Sequence, residues 1–163
     1  QMNALTMEII KANPITGIGF GMQIYGNVNR IDLKQFDSKL PKKYQGGVGG
    51  TFIGSPHNTI LDIAVRTGIV GLIIFLSIVL TALWMIWQAW KSARSEYYKS
   101  WIACSFAAFL SFMTAALFAD TTFGPPAVVF YTILALITIL WKIKDESPTA
   151  SNLAAKTEEP VAS

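Results

Sequence analysis

The chain has 163 residues and a single histidine, His57, which sits in the run Ser55-Pro56-His57-Asn58. Histidine is the side chain whose ordinary titration range suits proton transfer near neutral pH. Serine as N-cap and proline at the first helical position make a helix start, and residues 59–67 continue with helical periodicity. This predicts His57 in the first turn. The positive end of a helix disfavours an imidazolium, leaving a neutral imidazole able to accept a proton, as a general base must. The unpaired amides of the same turn could hold an anion such as a phosphate. On this helix His57, Leu61, Ala64 and Gly68 share a face, and Asp62 and Arg66 form an i,i+4 pair of favourable orientation. Gly68 and Gly71 would separate the helix from the apolar stretch after it. A histidine that only caps a helix at a membrane interface has the same spacing, and Arg66, with Asp62 at hand, reads first as structural.

Glycines are the second conspicuous feature, in Gly17-Ile18-Gly19-Phe20-Gly21 and again over 46–50. No Gly-Lys-Ser/Thr follows them, and GxGxG is not the GxGxxG fingerprint between strand and helix, so they read as turns and a mobile loop. Cys104 falls inside an apolar stretch and has no second cysteine to pair with.

The elements that would carry these residues are membrane helices. The chain is 52% apolar and only 14% charged, which argues against a soluble single domain. Three uncharged apolar stretches, about 69–90, 101–119 and 126–141, approach the ~20 residues that cross a hydrocarbon core. The linker 91–100 holds Lys91, Arg94 and Lys99, and Lys142 and Lys144 follow the third stretch, whereas the turn 120–125 holds no basic residue. By the positive-inside rule the linker and C-terminus are cytoplasmic and residues 1–68 lie outside. Those 68 residues hold seven basic and four acidic side chains; long translocated segments escape the rule, and a basic outward face suits an anionic partner.

Within that segment Leu5, Ile9 and Ala12 share one face of a short, surface-lying amphipathic helix stopped by Asn13-Pro14, and an irregular loop runs from Ile15 to about Thr51. In the second span Ala103, Ala107, Ser111, Ala115 and Ala119 recur every fourth residue, a stripe suited to close helix packing. Residues 142–163 are expected to form a disordered cytoplasmic tail. The expected fold class is an all-α integral membrane protein, with three transmembrane helices and part of a periplasmic loop domain with short helices. The first residue, Gln1, and the small number of spans suggest the C-terminal part of a longer protein.

His57-Asn58, nine residues, Gly68, two residues, Gly71 resembles the HN-x9-GxxG signature of the O-antigen ligase and O-antigen polymerase superfamily. Asn13-Pro14-Ile15-Thr16-Gly17-Ile18-Gly19-Phe20-Gly21 resembles the NP-x-x-GxGxG segment that precedes it there, and the order of loop, helix, long span, basic turn and two further spans also agrees. The resemblance implies an inverting, metal-independent glycosyltransferase of the bacterial inner membrane, without cofactor or nucleic-acid partner. It would transfer a glycan from an undecaprenyl-pyrophosphate carrier to a lipid A core or other glycan acceptor. His57 would be the general base, and basic residues would neutralise the pyrophosphate. Arg30, the arginine of the loop between the motifs, is the expected phosphate contact, ahead of Lys42 and Lys43, with Asn58 and Arg66 as further substrate-binding candidates and Asp120 facing the same space or capping its turn. Arginines expected upstream of the NP segment are not in this chain, so it should be inactive alone. A polymerase of the same superfamily, or a non-catalytic membrane assembly or transport module, are the alternatives.

Overall fold

The computed structural model describes residues 2–19, 34–45, 56–119, 121 and 124–143. Among them every regular element is helical: α1 (Met2–Ala12), the single turn α2 (Lys34–Asp37), a 3₁₀ turn (Lys42–Tyr44), α3 (Thr59–Ser92), α4 (Glu96–Ala116) and α5 (Pro125–Ile143). Helices α3, α4 and α5 are each long and apolar enough to cross a membrane. This is the expected all-α membrane protein.

The three long helices pack pairwise into a bundle. Its centre is Ala82, Phe109, Phe130 and Ile137, where small Ala82 lets α3 come close to the rings of the other two helices. Phe112 stacks on Phe130 at 5.3 Å between ring centroids. A second cluster, Ala89, Ile102 and Leu140, closes the other end, where the Tyr98 hydroxyl also donates to Leu140 O. Outward-facing Ile73, Ile74, Leu80, Val128, Val129 and Ile139 are exposed, the pattern of a bundle whose solvent is lipid. Hydropathy marks the span but not the helix end. Thus α4 begins at Glu96, whose carboxylate pairs with Lys99, five residues before the apolar stretch. The small residues Ala103, Ala107, Ser111 and Ala115 are exposed, while Ile102, Ser105, Phe109 and Ala116 are the buried ones, so the stripe does not face α3 or α5.

Helix α3 is two helices. At 34 residues it would extend ~50 Å, well beyond a ~30 Å hydrocarbon core. It breaks at Gly68, where φ 65 and ψ −163 are not helical. Residues 69–92 form the membrane-length part and 59–67 a separate polar-ended segment. Gly71, expected to share in the separation, lies inside the second part. Its missing Cβ leaves room for the Thr67 side chain, whose hydroxyl donates to Ile63 O at 2.8 Å.

The break is filled by the segment after α1. Ile18 N donates to Val65 O (2.8 Å), Gly19 N to Arg66 O (2.9 Å) and Ile69 N to Pro14 O (2.9 Å). A Cβ on Gly17 would overlap the backbone of Val65 and Arg66, and one on Gly68 would overlap the backbone of Ile15 and Thr16. Both glycines also have φ of 65, a region costly to residues with a side chain. Gly17 and Gly19, expected to mark a mobile loop, belong instead to a strap whose backbone is bonded to the break, because the interrupted helix offers carbonyls that need donors. Gly21 and the glycines over 46–50 lie outside the described residues, as does the tail beyond Ile143.

A small core forms beneath the strap. Leu5 and Ile9 of α1 pack with Phe36, Leu40 and Val65, all five buried, and Ile18 packs against them. The expected α1 face is present except for Ala12, which is exposed at the helix end. Within the irregular loop expected over 15–51, the described residues include α2 and the 3₁₀ turn; Phe36 and Leu40 are buried in this core, and Gln45 Nε2 donates to Leu40 O at 2.9 Å.

Gly68→Ala combines a left-handed Cβ with a backbone overlap and is expected to lower unfolding free energy by about 2–4 kcal/mol. Gly124→Ala also has a positive φ, 68, but meets nothing within 4 Å, so it should cost only about 1 kcal/mol. Denaturation of the two variants in detergent measures the difference.

Candidate functional site

The polar half of α3 begins later than its sequence suggests. Asn58, not Ser55, is the N-cap. It lies in the extended region (φ −152, ψ 112) and its Oδ1 accepts from Leu61 N, while its carbonyl accepts the first helical bond from Asp62 N at 2.9 Å. Extended backbone with a short acceptor side chain is what a cap requires. Pro56 therefore precedes the helix, and Ser55 lies outside the described residues.

His57 is thereby moved out of the first turn. It stands just ahead of the cap, exposed, with φ 48, the one non-glycine of the described residues with a positive φ. It does not share a helical face with Leu61 and Ala64. Non-glycine residues in this region are held there by their surroundings and concentrate at functional positions. Of the amides expected to be open to an anion, the one at Leu61 is bonded to Asn58 itself.

The two residues that follow His57 are bonded to the end of α4 and the turn after it. Asn58 Nδ2 donates to Leu117 O at 3.0 Å. Thr59 Oγ1 donates to Ala119 O at 2.9 Å, accepts from Thr121 N at 3.0 Å, and lies 2.8 Å from Thr121 Oγ1. Thr59 and Thr121 are buried. Asn58 and Thr59 thus stitch the start of α3 to the end of α4 across a sequence gap of about sixty residues.

One turn on, Arg66 Nε donates to Asp62 Oδ2 at 2.7 Å, with side chains only 2% and 0% exposed. The expected i,i+4 pair is present, but inside the protein. The Arg66 carbonyl is also the acceptor of the strap's Gly19. Along the buried side of this segment Thr59, Asp62 and Arg66 are therefore polar, and each has a polar partner.

The two motifs, separated by some forty residues in the chain, are thus in direct backbone contact: residues 14–19 of the NP-x-x-GxGxG segment form the strap, and HN-x9-GxxG runs from just before the cap to just past the break that the strap fills.

Residues 2–76 match the O-antigen ligase family.

The matched O-antigen ligase region takes in α1, the strap, the stitched helix start, the break and the first turns of the membrane-length helix. It supports a membrane function of the O-antigen ligase and polymerase type. No curated protein and no solved structure gives a match.

Of the residues expected at an O-antigen ligase site, the structure brings His57, Asn58 and Arg66 onto one short segment. Arg30 and Asp120 lie outside the described residues. Lys42 and Lys43 are exposed on the 3₁₀ turn after α2. Asn58 and Arg66, expected to bind substrate, have side chains bonded to Leu117 and Asp62. Sequence reasoning missed Thr59 and Thr121. For Thr59 the one local signal is that Thr59, Asp62 and Arg66 recur at i, i+3 and i+7 as a polar stripe; Thr121 has no such signal.

Asp62→Asn removes the charged partner of a buried guanidinium and is expected to destabilise by about 3–5 kcal/mol. Asn58→Ala, which removes a cap, should cost about 1–2 kcal/mol. Thermal unfolding of each variant in detergent orders the two.

Proposed function

We propose that this chain carries the acceptor-activating part of an O-antigen ligase-type glycosyltransferase. In this reading it works at the periplasmic face of a bacterial inner membrane, with the ends of α3 and α5 and the start of α4 on the cytoplasmic side. The basic residues Lys91, Arg94, Lys99 and Lys142 support that orientation. The donor is a glycan on undecaprenyl pyrophosphate and the acceptor a sugar hydroxyl, of a lipid A core in a ligase or of another repeat unit in a polymerase.

The observation that carries the proposal is the placement of His57: an exposed imidazole in a held, left-handed conformation, at the head of a segment that both family motifs build together. His57 takes the proton of the acceptor hydroxyl. The oxygen forms a bond to the anomeric carbon from the face opposite the leaving group. The bond from that carbon to the phosphate oxygen breaks, its electron pair going to the pyrophosphate lipid, and the anomeric centre inverts. No metal takes part; basic side chains offset the charge on the leaving group, with Arg30 assigned first, then Lys42 and Lys43. Asn58 and Arg66 are assigned to hold the segment rather than to touch substrate, because their observed partners Leu117 and Asp62 already engage them.

His57→Ala in the intact protein is expected to lower transfer at least a hundredfold, consistent with the ~10²–10⁴ typical of a general base, with expression and membrane insertion unchanged. Retained transfer contradicts the proposal. Arg30→Glu should weaken donor binding, read as a raised KM for the lipid-linked glycan; an unchanged KM removes Arg30 from the site. Supplying a lipid A core and a second repeat unit as rival acceptors decides between ligase and polymerase.

A further inference from the structure

The Thr59 hydroxyl has a full complement of partners. A hydroxyl has one proton to donate and two lone pairs to accept with. The Thr59 proton goes to Ala119 O at 2.9 Å, and one lone pair accepts Thr121 N at 3.0 Å. The 2.8 Å contact with Thr121 Oγ1 must then be Thr121 donating to the remaining lone pair. The node is buried, with Thr59 at 2% and Thr121 at 8% exposure. Its partners lie on the last residues after α4 and in the turn before α5, so it fixes the start of α3 against the turn between those two helices.

Two residues before this node is His57 with φ 48, and between them Asn58 is held at both ends of its amide, by Leu61 N and Leu117 O. A left-handed non-glycine residue persists only where neighbouring contacts over-determine it. The contacts of Asn58 and Thr59 are among those next to His57.

We propose that Thr59 and Thr121 are positioning residues for His57: their hydroxyl node holds the helix start against the α4–α5 turn and so sets where the imidazole stands. The inference rests on the reading of His57 as general base. It assigns to the turn after α4, beyond the family match that ends at residue 76, a part in the reaction.

The test uses the intact protein in membranes or nanodiscs, with the lipid-linked donor and a sugar acceptor. Thr59→Val keeps the shape of the side chain and removes all three hydrogen bonds. Thr121→Val removes one donor and leaves the N–H in place. Thr59→Ser retains the node. Thr59→Val is expected to lower kcat about tenfold to a hundredfold, the scale of a misplaced catalytic group, with the donor KM within about twofold. Thr121→Val should lose less, and Thr59→Ser should return kcat to near the wild-type value. A thermal melt of each variant establishes that the protein remains folded; if Thr59→Val does not fold, the comparison of Thr121→Val with Thr121→Ser decides in its place. Wild-type kcat in a folded valine variant, or equal losses in the serine and valine variants, overturns the proposal. His57→Ala is run alongside. If it is inactive while the valine variants keep full activity, the positioning role fails and the base reading stands. If it is fully active, the base reading fails and the positioning role with it.

Discussion

At Gly68 a helix stops and restarts, and the carbonyls of Val65 and Arg66 take their hydrogen bonds from Ile18 and Gly19 while Ile69 donates back to Pro14. Near a membrane, backbone groups without partners cost several kcal/mol each, so irregular backbone is tolerated only where protein satisfies it. The strap meets that condition. It also requires two glycines, because Gly17 and Gly68 bring backbone against backbone with no room for a Cβ on either side. The same contact places α1, whose Leu5 and Ile9 share a core with Val65.

The short segment 59–67 is then fixed from three directions. The strap holds its end at Val65 and Arg66. The buried Asp62–Arg66 pair stiffens its middle. Asn58 and Thr59 tie its start to Leu117, Ala119 and Thr121. A helix this short is marginal on its own in water, so these attachments, rather than propensity, account for its order. His57 stands just ahead of this fixed segment, with φ 48.

The membrane architecture was legible in the sequence because it depends on composition and length, which one-dimensional reading measures directly. The break at Gly68 and the face of Leu5 and Ile9 were legible for similar local reasons. Three things were not. Ser55 reads as the cap because Ser-Pro is a strong local start signal, and Asn58 displaces it through a bond to Leu117 that no local pattern reveals. Gly17 and Gly19 read as slack because glycine's freedom is visible in sequence, whereas the close approach that requires it is not. The bonding of Thr59 and Thr121 carries no mark in sequence, because the partners they find lie some sixty residues apart in the chain. Family resemblance supplied both motifs and their order; their contact in space came from the fold.

Docking of the strap into the break is what builds the His57 segment, and amide hydrogen exchange on the intact protein in nanodiscs tests this most directly at Ile18, Gly19 and Ile69. The amides of these three residues should exchange as slowly as those within residues 59–67, and Gly68→Ala should release all of them together and take transfer activity down with them. Fast exchange at Ile18 and Gly19 in the active wild-type protein, or full activity once their protection is lost, would contradict it.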